Sequence, residues 1–206
     1  MTGRVVLLRH GQTAWARDGR HTGLTDVELT ETGEQQALEA GTMVARLLGG
    51  AQPVLTLSSP LLRARRTAEL AGLDAETEVG LVEWDYGGYE GLTAAQIREQ
   101  AGPDWTVFHH GVVPGPTPGE TLVEVATRAR AVLDRVRPTL PNGDVVLVGH
   151  GHALRVLAAC WLGAEPLLGA QLLLDPAGIG VLVERYEEPT LAHWNLVAAA
   201  RVQELR

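Results

Sequence analysis

Apolar and polar positions fall along this chain in blocks. Residues 4 to 9 are a continuous Val/Leu run between polar flanks, which predicts a buried strand ending in Arg9-His10-Gly11. "LTETGEQQALEAGTMVARLL" (29–48) predicts a helix, with Thr30 ahead of Gly33-Glu34 and Leu38, Met43, Val44 and Leu47 at helical spacing. "PVLTLSS" (53–59) reads as a second short strand, and "PLLRARRTAELAG" (60–72) as a helix with Pro60 in its first turn and a stop at Gly72. The segment 83–93 has little apolar periodicity and reads as a loop, followed by a weaker helical patch at 93–101. Prolines and glycines make 109–121 a loop, and helical periodicity returns over 120–137, closed by Pro138. "DVVLVGHGHALRVLAACWLG" (144–163) is a strand running into a helix, and "QLLLD", "GIGVLVERY" and "LAHWNL" read as three final strands.

Strands alternating with helices, then a strand-rich tail, predict an α/β fold with a mostly parallel sheet, formed by residues 1–206 as a single domain. In such folds ligands sit beyond the carboxyl ends of the strands. His10, Ser58-Ser59 and His150 all fall at such ends, so the unusual residues gather on one edge.

Composition narrows the chemistry. The 206 residues suit one well-buried domain. No stretch is long and apolar enough to cross a bilayer and no secretory pattern opens the chain, so a cytoplasmic location is expected. The lone Cys160 agrees with a reducing compartment and lies among apolar neighbours as an inert thiol; a tyrosine-phosphatase loop would need arginine where Pro166 stands. A net charge of −8 argues against nucleic-acid or acidic-membrane partners. It also means that an anion site must concentrate positive charge locally. All 17 basic residues are arginine, which excludes a P-loop lysine, a kinase strand lysine and a Schiff-base lysine.

Four constellations carry candidate chemistry. Arg9-His10 sets a planar guanidinium beside an imidazole, phosphate fork next to nucleophile; a surface charge and a loop histidine are the plainer alternative. Arg63 follows "SSP" at a helix start, where backbone N–H groups already favour anions, whereas Arg65 and Arg66 fit a solvated face. "VGHGH" (148–152) puts His150 at a strand end with Gly151 allowing close approach. His-x-His with His109-His110 also suggests zinc, although no HExxH, cysteine pair or carboxylate ligand accompanies it. Glu83, between Val82 and Trp84, is expected to be partly desolvated with a raised pKa suited to general acid work, and Asp85 is its local rival.

"LLRHGQT", "LTETGEQQA", "SSPLLRARRTAE", "EWDYGGYEG", "GET" and "VGHGHALR", in that order over residues 4–156, resemble the motifs of the histidine phosphatase superfamily, the phosphoglycerate-mutase-like proteins. "GRHTGLTDVELTETG" with "EWDYGGYEGLT" is most similar to its actinobacterial acid-phosphatase members. The resemblance implies a three-layer α/β/α sandwich and, by position, the roles. His10 would accept the phosphoryl group, Arg9, Arg63 and His150 would grip its oxygens, and Glu83 rather than Asp85 would donate the proton. Gln12, Thr13, Thr22, Gly23, Tyr86, Gly151 and His152 match positions near the family's phosphate pocket. No metal or other cofactor is implied, because side chains neutralise the charge.

Departures from the pattern bear on mutase against phosphatase. Ala16 stands where the mutases carry asparagine, Leu92-Thr93-Ala94 where they carry lysine, and residues 95–120 hold only Arg98 where they carry an arginine pair. Without that clamp on a phosphoglycerate carboxylate, water is the expected acceptor. The expectation is therefore a metal-independent acid-type phosphomonoesterase acting on a small phosphorylated metabolite; the alternatives are a phosphoglycerate mutase and a non-catalytic phospho-ligand binding module. His152, where the mutases have asparagine, is expected to titrate and to favour an acidic optimum. The substrate and oligomeric state are not specified, and a homodimer is left open.

Overall fold

The computed structural model describes residues 3–198. The first apolar run forms β1 (Val5–Arg9), whose Val5 and Leu7 enter one core while Val6 and Leu8 enter a second on the other face. A strand covered on both faces shows no polar alternation, which explains the unbroken Val/Leu sequence. A one-turn helix α1 (Ala14–Arg17) precedes α2 (Glu31–Leu47), β2 (Leu55–Ser58), α3 (Leu62–Leu70) and the two-residue β3 (Glu76–Thr77). After two 3-10 turns come α4 (Ala94–Ala101), α5 (Val107–His110) and α6 (Leu122–Val136). β4 (Val145–Gly149) leads into α7 (Gly151–Trp161), and the hairpin β5 (Ile179–Arg185) and β6 (Glu188–Leu196) follows.

The sheet has the order β3-β2-β4-β1-β5-β6, parallel from β3 to β1 and antiparallel at β5 and β6. Ala40 and Val44 of α2 with Ala64 and Ala68 of α3 cover one face. Val125 and Leu133 of α6 with Leu154 and Leu157 of α7 cover the other, giving the expected α/β/α sandwich. Threonines set the helix starts: Thr30 caps α2, while Thr93 and Thr121 form capping boxes with Gln96 and Glu124.

Register aligns the chemistry. Arg9 pairs with Gly149 and Ser58 with Val148, so His10, His150 and Ser59 each stand one step past the strand ends. The His10 amide donates to Gly149 O at 2.9 Å and the Ser59 amide to Val148 O at 2.9 Å, extending the ladder into these residues.

Several elements differ from the sequence reading. "QLLLD" is not a strand: 166–171 is a 3-10 turn, and the following Leu174 O accepts from the Arg9 side chain instead of a neighbouring strand. Pro60 precedes its helix, for which Leu61 is the N-cap, and Pro138 lies inside a 3-10 continuation, 137–142. His109 and His110 end α5 and are not part of the loop proper. The short α1 and β3 carry too few apolar positions to show a period.

Candidate active site

At the carboxyl edge of the sheet lies a cavity of about 260 Å³, lined by Arg9 at the end of β1 and His10 just past it, Glu83 and Tyr86 from the loop, and Gly151, His152 and Arg155 from α7. The segment carrying Ala16, Arg20, His21 and Thr22, together with Leu173 and Leu174, completes the wall.

His10 is buried, with 5% exposure, and its Nδ1 lies 2.7 Å from Gly11 O. A carbonyl only accepts, so Nδ1 carries the proton and Nε2 keeps its lone pair. Burial first, then Arg63 and Arg9, hold the His10 pKa well below its ordinary 6.5. Neutral and oriented by its other nitrogen, the ring is a competent nucleophile.

Arg9 donates from Nη1 to Leu174 O at 2.5 Å, and its buried Nε meets no acceptor. An unpaired buried donor is costly, and here it lies beside the cavity wall. Gly151 permits this placement, since a Cβ there would stand 3.3 Å from the Arg9 guanidinium carbon.

Arg63 and His150, both fully buried, form the layer behind that wall. Arg63 Nε donates to His150 Nδ1 at 3.1 Å, so His150 Nε2 carries the proton and donates to Ser59 Oγ at 2.7 Å. Arg63 also donates from Nη1 to Thr25 O at 2.8 Å, and from Nη2 to Thr22 O at 3.1 Å and Gly23 O at 2.7 Å. Its guanidinium thus fastens the 22–25 segment to α3. Glu90 fastens the same segment from outside, accepting from the amides of Gly23 and Thr25. Gly23 itself is required by space: a Cβ there would lie 2.6 Å from both Glu90 Oε2 and Trp84 O. The His150 ring centre is 5.1 Å from that of His10.

Glu83, 5% exposed, caps α7 in place of the His150 side chain. Its Oε1 accepts from the amides of Trp84 and Ala153, both at 2.9 Å, and Oε2 from His152 N at 3.1 Å. Oε2 has the spare lone pair and is the oxygen able to carry a proton. Asp85 faces away from this role, accepting from Gly87 N, Gly119 N and Thr117 Oγ1.

Of the remaining residues singled out in the sequence, Thr22, Tyr86, Gly151 and His152 line the cavity, whereas Gln12 and Thr13 do not. Gln12 Oε1 accepts from Thr30 Oγ1, and Thr13 is the buried N-cap of α1. His152 shares a 2.5 Å hydrogen bond with Tyr86 OH. Burial first, then Arg155, His21 and Arg9, push its pKa well below 6.5, which leaves the ring uncharged near neutrality. Among the described residues no group of three or more His, Cys, Asp or Glu side chains is arranged to hold a metal, and His109-His110 meet no further ligand.

Arg20, His21 and Arg155 were not singled out, although the cavity includes them. Arg155 had a readable signal: it lies one helical turn after Gly151, as a charge in an apolar helix. His21 had none, since its place depends on Leu92 O accepting from Nδ1 and on ring contacts with Tyr86 and Trp105.

The sequence profile of the histidine phosphatase superfamily, branch 1, matches residues 5–197. An acid phosphatase of Mycobacterium tuberculosis is 41% identical over 179 residues, covering 86% of this chain and 85% of the relative. Sedoheptulose 1,7-bisphosphatase of Saccharomyces cerevisiae is 32% identical over 223 residues, covering 95% and 79%. A solved structure of a functionally characterised open reading frame product from Mycobacterium tuberculosis superposes with a TM-score of 0.88 at 38% identity, covering 96% of this chain and 99% of that one. The chain belongs to the histidine phosphatase superfamily, branch 1, as an enzyme of the phosphoric monoester hydrolase class.

Proposed function

We propose that this protein is a metal-independent phosphomonoesterase that hydrolyses small phosphorylated metabolites through a phosphohistidine on His10, with residues 1–206 acting as one domain. The observation that carries the reading is the His10 ring itself, neutral and holding its proton on Nδ1, in one cavity with Glu83 and Arg9. His10 Nε2 attacks phosphorus as the ester P–O bond breaks, and Glu83 passes a proton to the departing alcohol oxygen. The ionised Glu83 then takes a proton from water, whose oxygen bonds to phosphorus as the N–P bond breaks. Phosphate leaves and His10 is neutral again.

Arg9 supports the equatorial oxygens, and Arg63 and His150 reinforce it from behind with a fixed charge and a fixed dipole. The phosphatase names of the relatives support hydrolysis. Ala16, which presents only a methyl group to the cavity, supports water over a second phosphoglycerate as acceptor. The 5–197 match and the single six-stranded sheet support the one-domain reading. A small-metabolite substrate suits the cavity volume, and the −8 charge disfavours nucleic acid or an acidic membrane.

His10→Ala is expected to abolish hydrolysis of p-nitrophenyl phosphate, while EDTA leaves the wild-type rate intact. Full activity in the variant would refute the phosphohistidine, and loss with EDTA would bring back a metal. Conversion of 3- to 2-phosphoglycerate with the bisphosphorylated cofactor tests the mutase alternative.

A further inference from the structure

The cavity holds more positive charge than one phosphate ester needs. Three guanidinium groups line it, those of Arg9, Arg20 and Arg155, against the single carboxylate of Glu83, and Arg63 stands directly behind. A monoester brings about −1.5 to −2. That charge balances Arg9 and Arg63 while Glu83 carries the leaving-group proton, and leaves Arg20 and Arg155 over.

Glu83 acts on Arg155 across the cavity without forming an ion pair. Among the described residues, no acidic side chain forms an ion pair with Arg20 or Arg155. The nearby carboxylates are engaged elsewhere: Glu90 with Gly23 N and Thr25 N, Asp26 with Leu62 N, and Asp175 with Asn195 Nδ2. The four cavity and near-cavity imidazoles of His10, His21, His150 and His152 are all held below their ordinary pKa by burial, so they add no charge near neutrality.

Arg155 is fixed and half-buried, Arg20 is tethered at the exposed rim, and both have donors left over. Arg155 donates from Nε to Gly169 O at 2.7 Å and from Nη2 to Ala170 O at 2.9 Å, with its guanidinium carbon 4.8 Å from the Phe108 ring centre. Arg20 donates from Nη1 to Gly91 O at 3.1 Å, and its backbone bridges to Thr93. Among the described residues no acceptor meets Nη1 of Arg155, or Nε or Nη2 of Arg20. Arg155 is half-buried, and such a cation without an ion-pair partner is expensive unless a ligand completes it, whereas the exposed Arg20 holds its free donors in water at the cavity rim. Planar guanidinium groups match carboxylate and phosphate oxygens. A volume of about 260 Å³ equals roughly nine waters at about 30 Å³ each, enough for a phosphoryl group and a short skeleton.

We propose that the substrate carries a second anionic group, a carboxylate or a further phosphate, on a short carbon skeleton, and that Arg20 and Arg155 read it. This rests on the phosphatase reading above, because the first anion is the scissile phosphate.

The test compares kcat/KM within matched pairs: 3-phosphoglycerate against glycerol 3-phosphate, and fructose 1,6-bisphosphate against fructose 6-phosphate. The wild type is expected to prefer the doubly anionic member of at least one pair by about tenfold or more, as a charge-assisted contact provides. The pair that shows the preference identifies the second group. Arg20→Gln or Arg155→Gln should lower that ratio about tenfold, and Arg20→Lys should restore part of it. Because the ratio is taken within each protein, a general loss of activity or stability cancels. A wild-type ratio near one in both pairs, or a ratio that survives both glutamine variants, overturns the proposal. Absence of phosphate release from all four esters and from p-nitrophenyl phosphate would instead refute the phosphatase reading.

Discussion

His10 is kept neutral by its surroundings, and this has a kinetic consequence at the scale of one residue. Arg63 and Arg9 add to burial in disfavouring its charged form, outweighing the Gly11 carbonyl that favours it. In the proposed mechanism the neutral ring is the attacking form, so protonation ends activity only as pH falls through the lowered value. The acid limb of the kcat/KM profile for p-nitrophenyl phosphate is therefore expected clearly below 6.5, the ordinary histidine value. A limb at or above 6.5 would contradict the assignment of His10 as the titrating nucleophile. The predicted acid tolerance comes from this ring, and the bond of His152 to Tyr86 was not disclosed by the sequence.

At the scale of elements, the 111–121 loop owes its position to Asp85. One carboxylate receives Gly87 N at 2.9 Å, Gly119 N at 3.1 Å and Thr117 Oγ1 at 2.5 Å, while Trp84 Nε1 donates to Glu120 O at 2.7 Å. Asp85→Ala removes the shared acceptor from partly buried donors, a loss of about 1.5–3 kcal/mol concentrated in one loop. Limited proteolysis should then cut within 111–121 at least several-fold faster, with β1 and β4 amides still protected from exchange; unchanged cleavage would show that the loop is held by other contacts. Asp85 and its neighbour Glu83 mark the limit of what was legible in the chain. β1, β2 and β4 were visible as apolar runs because burial on two faces leaves a composition signal, and the strand-end placement of His10 and His150 came with them. Glu83 and Asp85 look alike in sequence, and only the fold separates one on the α7 amides from one on a loop. Arg20, His21 and the Leu173-Leu174 wall were hidden for a related reason: segments distant in sequence meet there, without periodicity of their own.

For the whole molecule, four neutral imidazoles link stability to pH. His10, His21, His150 and His152 have folded pKa values below 6.5, whereas the unfolded chain titrates near that value. Below about 6.5 the unfolded state binds more protons, so this contribution is complete above that pH and is lost as pH falls through the lowered folded values. Calorimetry is expected to show Tm declining from about pH 6.5 towards pH 5, above the range where most carboxylates titrate. Inorganic phosphate should raise Tm at each pH by occupying the folded cavity. A Tm flat over that interval would mean that the imidazoles are not desolvated as described.

In the proposed mechanism, the capping of α7 by Glu83 ties two selective pressures to one carboxylate. Aspartate, one methylene shorter, would forfeit the amide grip as well as the reach, and glutamine would keep an acceptor oxygen but no transferable proton. Evolution of a new proton donor in this fold would therefore have to supply a new helix staple in the same step. Diversification among such enzymes is easier at the cavity wall, where Arg20 and Ala16 can change without unfastening a helix.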